Sequence, residues 1–256
     1  MKALAVVIGV VFAVAMAALA ATQIFSDRLG NYLPEVLQPS VEGGAQLVLG
    51  VEPEGGDLGQ AVAQSISVIE RRLKDLGVRF KVQPQDNDRI LLRLARSVDP
   101  RRVIEVTTRR GKLQFRLIET NLTPEQVVRG EPPPHAEELH GRDHRTYLVN
   151  KRAVLTGRDV VDAQAAFDAR TNEPVVTFRF SAEGARRFAQ VTQENVGKPF
   201  AIVFDNEVLS APIIREPILG GMGQISGSLT VQDASDMALL LRAGELPGKL
   251  TLIEQR

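Results

Sequence analysis

Apolar residues recur along this chain at two different periods, and the changes between them lay out a mixed α+β fold. Val62, Ile66, Ile69, Leu73 and Leu76 follow one another at steps of four and three, which is one stripe along a helix. Asp57 and Gln60 form a capping-box pattern ahead of that stripe, and Gly77 sits where a left-handed C-cap belongs. Before the helix, Leu47, Leu49 and Val51 alternate as a half-buried strand does. After it, residues 78–83 and 89–95 read as strands joined by a polar turn at 85–88. Asp99-Pro100 opens a second helix that Gly111 ends, and residues 113–119 form another strand. Residues 43–120 therefore predict strand–helix–strand–strand–helix–strand, the pattern of a ferredoxin-like α+β sandwich.

The second half repeats the mixture. Residues 147–150 and 174–180 read as strands, the latter with Val176, Phe178 and Phe180 on one face, and 159–168 carries mixed helix and strand signals. Ser181 caps a helix whose Ala185, Phe188, Ala189, Thr192 and Val196 make one stripe. Residues 200–204 and 208–214 flank Asp205-Asn206, residue types that tolerate the left-handed backbone of a hairpin turn. Pro212 demotes the second of these strands to an edge or bulged one, and Gly220, Gly221 and Gly223 allow a sharp reversal. Thr230 with Asp233 announces a last helix, with Ala234, Met237, Ala238 and Leu241 buried. Residues 249–254 are a final strand that either sheet could take.

The N-terminus changes the picture most. Residues 3–21 carry no charge, a run just long enough to span a bilayer as an anchor. Ala18-Leu19-Ala20 also fits a signal-peptide cleavage site, so a cleaved leader stays open as the alternative. Both readings put the remainder outside the cytoplasm. Lysine plus arginine balance aspartate plus glutamate at 31 each, which argues against a nucleic-acid partner. There is no cysteine for a disulfide, a thiolate metal site or a thiol nucleophile.

Candidate chemistry is sparse. The only histidines, His135, His140 and His144, fall in a proline-rich stretch, and the spacing of four between the last two would suit a metal on a helix. Gly141 interrupts any such helix, and a solvated interdomain loop with no metal and no cofactor is the reading adopted. An envelope hydrolase fails on inventory, because neither a Gly-x-Ser-x-Gly nor a His-Glu-x-x-His motif occurs. The chain is read as a non-enzyme.

Four segments carry a family resemblance: YLVNKRAVLTGRDVVDAQAAFD (147–168), EPVVTFRFSAEGARRFAQVTQENVGKPFAIVFDNEVLSAPII (173–214), ILGGMGQISG (218–227) and ALLLRAGELPGKL (238–250). They resemble the first periplasmic domain of the SecD family of bacterial protein-export subunits, strongly in the second half and more loosely over 43–119. The resemblance implies a transmembrane anchor at 1–26, a juxtamembrane connector at 27–42, a ferredoxin-like base at 43–120 and a Pro/His-rich linker with return strand at 121–154. An α+β head follows at 155–244, and a final strand at 245–256 returns to the base. It further implies an inner-membrane protein with its bulk in the periplasm, and as partners a translocating preprotein, the Sec channel and a SecF-like subunit. Relatives continue into further membrane helices that pass protons, so the stretch up to Arg256 is not expected to act as a proton-driven motor alone. An envelope scaffold from a split or truncated paralogue is the other role considered.

Non-specific grip on an extended chain calls for an apolar groove or an exposed strand edge. The candidates are Val208, Leu209, Ile213, Ile214, Ile218, Leu219 and Met222, of which the isoleucines and Leu219 fit a core strand equally well.

Overall fold

The computed structural model describes residues 43–120 and 132–256; the expected anchor and connector, and the N-terminal part of the linker, lie outside the described residues. Residues Gly43–Arg256 form one compact unit of thirteen strands and four α-helices among the described residues.

Helix α1 (Leu58–Asp75) begins where the Asp57 carboxylate accepts the Gln60 N–H at 2.7 Å and ends at Gly77, whose φ of 71° needs no Cβ. Its stripe buries Val62, Ile69 and Leu73. Helix α2 (Pro100–Thr108) is capped by Asp99, which accepts from Arg101 N–H at 3.0 Å. Both helices contribute to a core with β1 (Gln46–Pro53), β2 (Phe80–Gln85), β3 (Arg89–Leu94) and β13 (Gly248–Gln255), whose sheet order is β13-β1-β3-β2, antiparallel throughout.

That order corrects one expectation. The strand read as closing the first sheet, β4 (Leu113–Leu117), belongs to another sheet, and its place beside β1 is held by β13, with Val51 opposite Leu250. Gly111, at φ 75°, turns the chain away after α2, so that β4 carries Phe115 into a different core. Leu246 and Leu250 come back to complete the first core. Alternating strands of similar composition carry no mark of which sheet they join.

The second sheet has the order β11-β10-β4-β7, with β7 (Leu155–Thr156), β10 (Phe200–Phe204) and β11 (Glu207–Ser210). β10 is buried on both faces, which explains its uninterrupted apolar sequence FAIVF. Asp205 and Asn206, at φ 49° and 68°, make the tight turn into β11. β11 is an outer strand, and a bulge at Leu209 precedes the break at Pro212. One face of β10 meets the main core; the other, through Ala201 and Val203, is covered by a hairpin of β5 (Ala136–His140) and β6 (Thr146–Asn150). The described part of the expected loop is thus largely an ordered hairpin, with Ala136 and Val149 buried beneath its polar residues.

The third sheet, β12-β9-β8, comprises β8 (Val160–Phe167), β9 (Pro174–Phe180) and β12 (Met222–Ile225). Its inner face packs on α4 (Val231–Ala243), while α3 (Ala182–Glu194) closes the core through Phe188. Arg72 of α1, fully buried, joins the two halves of the fold by donating to the carbonyls of Val106, Arg109, Arg110 and Gly244. Burial pushes its pKa down to about 9, so the guanidinium stays charged at neutral pH.

Candidate polypeptide-binding groove

Inward-facing phenylalanines from four elements meet in one cluster. Alternation on β9 turns Phe178 and Phe180 to the inner face, β4 contributes Phe115, β10 Phe200 and α3 Phe188. The Phe115 and Phe200 rings stack with centroids 5.8 Å apart and planes 23° apart, and Phe178 meets Phe180 edge-on at 5.0 Å. Part of this cluster is not roofed. A cleft of about 300 Å³ opens over Phe115, Phe178, Phe188, Phe200 and Ile202.

One wall of the cleft is β12, through Gly223 and Gln224; the other is the segment from Pro212 to Ile218. The second wall is tied down: Gly197 N–H donates to the Ile214 carbonyl at 2.8 Å and Ile214 N–H to the Lys198 carbonyl at 3.0 Å. The Thr192 hydroxyl accepts from Ile218 N–H at 2.9 Å while donating to the Phe188 carbonyl at 2.8 Å, which anchors the wall to α3. Arg215 and Glu216 are the ionisable residues of the lining, and they are opposite in sign.

The candidate residues separate into two groups. Val208 is buried under the β5–β6 hairpin and Leu209 belongs to the main core, so these two are removed from any exposed gripping face, whereas Ile214 is buried in the main core and also lines the cleft. Edge position alone did not expose Val208 and Leu209, because the hairpin and the cleft wall cover that side of β11. Ile213 (61% exposed) and Ile218 (36%) line the cleft, and Leu219 (74%) and Met222 (63%) stand exposed beside it. The phenylalanine floor was missed. Its signal was present in the inward alternation of Phe178 and in Phe188 and Thr192 one turn apart, but that signal says buried rather than bordering a cleft.

A second, more polar recess of about 450 Å³ lies on the outer face of the third sheet, between Asp162, Gln164, Thr177, Arg179, Met222 and Gln224. At its margin the Gln224 side-chain amide donates to Asp168 at 2.9 Å. That bond, with main-chain donors from Thr171 and Arg170, holds the Asp168 carboxyl well below the usual carboxylate range. His140 ends β5 and His144 lies in the following turn at φ 64°, so the two do not share a helix face. Among the described residues no group of three or more histidine, aspartate or glutamate side chains is placed to hold a metal ion. No described helix is long and apolar enough to cross a membrane.

A mixed α+β unit of several small sheets and few helices resembles a SecDF P1 domain. The family model for the SecDF P1 head subdomain matches residues 135–248, and that for the N-terminal part of the SecDF P1 domain matches 62–120. The protein translocase subunit SecD of Rickettsia bellii is 41% identical over 201 residues, covering 78% of this chain and 39% of that protein. A structure of SecDF in a super-membrane-facing form superposes with a TM-score of 0.70 at 32% identity, covering 88% of this chain and 32% of the other. Another, from work on SecDF as a membrane component that enhances protein export, gives 0.66 at 33% identity over 82% of this chain and 99% of the other. The chain belongs to the SecD family of protein translocase subunits. It spans less than half the length of the curated relatives it matches.

Proposed function

We propose that this chain is an accessory module of Sec-dependent protein export that holds a translocating polypeptide on the periplasmic side of the inner membrane, beside the Sec channel and a SecF-like subunit. In this reading the ferredoxin-like unit closed by β13 is the base, the remainder is the head, and the N-terminal residues anchor both. The role is mechanical handling, not catalysis.

The observation that carries the reading is the cleft itself. Its floor is aromatic, its lining has no net charge, and Ile213, Ile218 and Leu219 extend its apolar surface into solvent. Such a surface binds apolar side chains with little regard for sequence, as a carrier of many substrates requires. Its partners are the groups that an unfolded chain exposes and a folded one hides.

A photo-crosslinking residue placed at Ile213, Ile218 or Leu219, with a stalled export substrate in membranes, tests this. Adducts are expected from these positions and not from Lys74 on α1, which is exposed and is not part of the cleft lining. Adducts from Lys74 alone, or co-purification with envelope proteins other than the Sec channel, would favour a scaffold role instead.

A further inference from the structure

One wall of the cleft has main-chain hydrogen-bonding capacity left over. β12 is the outer strand of its sheet and pairs with β9 on one side only. Phe180 N–H donates to the Gly221 carbonyl at 2.8 Å, and this sets the phase of the antiparallel ladder. Gly223 and Ile225, opposite Phe178 and Val176, turn their main-chain groups toward β9; Met222 and Gln224 turn theirs away. Among the described residues no group takes up the outward N–H or C=O of Met222 or Gln224. On the facing wall Pro212 and Pro217 lack an N–H and the amides of Ile214 and Ile218 are already engaged, which interrupts any regular ladder there.

The side-chain geometry of β12 agrees. Gly223 points inward, where a Cβ would lie 2.4 Å from Phe178 Cζ, so the bare backbone leaves that ring facing the cleft. Charge narrows the occupant further. The cleft floor has no ionisable group, whereas Asp162 and Arg179 share the outer face of the same sheet.

Building on the polypeptide-holding reading, we propose that the passing chain binds as an added strand along β12. It pairs with the outward main-chain groups of Met222 and Gln224, and every second side chain lies over Phe115, Phe178 and Ile202. The ligand is then an extended segment whose inward positions are uncharged and apolar and whose outward positions carry either sign. An amphipathic helix does not qualify, since its main-chain groups are already paired.

Amide hydrogen exchange on the full chain in detergent tests the pairing, using as probe a peptide of about ten alternating valine and threonine residues, long enough for one strand. On binding, the N–H groups of Met222 and Gln224 are expected to slow at least about tenfold. Gln224→Pro removes an outward donor without touching the β9 bonds and is expected to weaken the peptide at least about tenfold. Gln224→Ala, which loses the same side-chain contact to Asp168, is expected to stay within about twofold. Binding without protection of the two amides, with Gln224→Pro neutral, overturns the added strand and leaves the groove standing. Absence of binding overturns both. If the proline variant fails to fold, exchange on the unsubstituted chain decides the question.

Discussion

The Arg72 guanidinium donates to the main-chain carbonyl of Gly244 at 3.0 Å, across 172 positions of sequence. The same side chain serves Arg109 and Arg110, so one buried cation holds both places where the chain crosses between the first core and the second. Arg72→Met takes this donor from the Arg109 and Gly244 carbonyls, while Arg110 keeps the Leu246 N–H at 3.1 Å. It is expected to lower stability by about 3 kcal/mol or more, read from the shift in the urea midpoint. A loss below about 1 kcal/mol would show that water or neighbouring groups replace the guanidinium.

A second link joins α2 to α4. Arg102 makes a two-pronged pair with Asp236, whose carboxylate is 4% exposed and also accepts from Gln232 at 2.7 Å. Asp236→Ala strands a half-buried cation and is expected to cost about 2–3 kcal/mol. A double-mutant cycle with Arg102→Ala should return a coupling of about 1–3 kcal/mol; additivity would mean that the pair contributes packing alone.

Acid sensitivity should be traceable to the start of α4. The Asp233 carboxylate accepts from Thr230 N–H at 3.0 Å, and main-chain bonding to Thr230 lowers its pKa against the opposing effect of burial. A pKa lowered in the folded state gives stability that is present above the unfolded carboxylate value and lost as pH falls through the folded one. Asp233→Asn should therefore cost about 1 kcal/mol near neutrality and flatten the decline of stability below about pH 4. A parallel decline in both proteins would assign it to other carboxylates.

At the groove, Gly223→Ala should push the Phe178 ring from its place, since the new methyl would sit 2.4 Å from Phe178 Cζ. A cost of about 1–3 kcal/mol in thermal unfolding is expected, together with reduced substrate adducts at Ile218. Unchanged adducts would mean that the floor tolerates repacking.

Local elements were largely legible in the sequence. Asp57, Asp99, Ser181 and Thr230 each begin a helix where their side chains can accept main-chain N–H groups, and Asp205-Asn206 turns the β10–β11 hairpin. Those signals are short-range, and neighbouring residues are enough to satisfy them. Sheet membership is not short-range. Residues 113–117 alternate as well as β13 does, and only tertiary packing decides that β13 completes the first sheet. β5 escaped notice because Glu137, Glu138 and His140 mask a register in which Ala136 alone is fully buried. The groove suffered from the same ambiguity. Ile213 and Ile214 are adjacent and chemically alike, yet one is 61% exposed and the other 6%.

Gln46 and Arg256 exchange main-chain hydrogen bonds at 2.8 and 2.9 Å where β1 meets β13. Both ends of the compact unit therefore leave from a single point, like the two legs of a clothes peg. Tension drawing those legs apart meets the β1–β13 bonds one pair at a time, beginning at this junction, and needs little force. Tension applied at the groove and resisted at the junction is instead shared between both crossings, where Arg72 holds their carbonyls together. The fold is thus expected to yield more readily when its two ends are separated than when the second core is pulled away from the first.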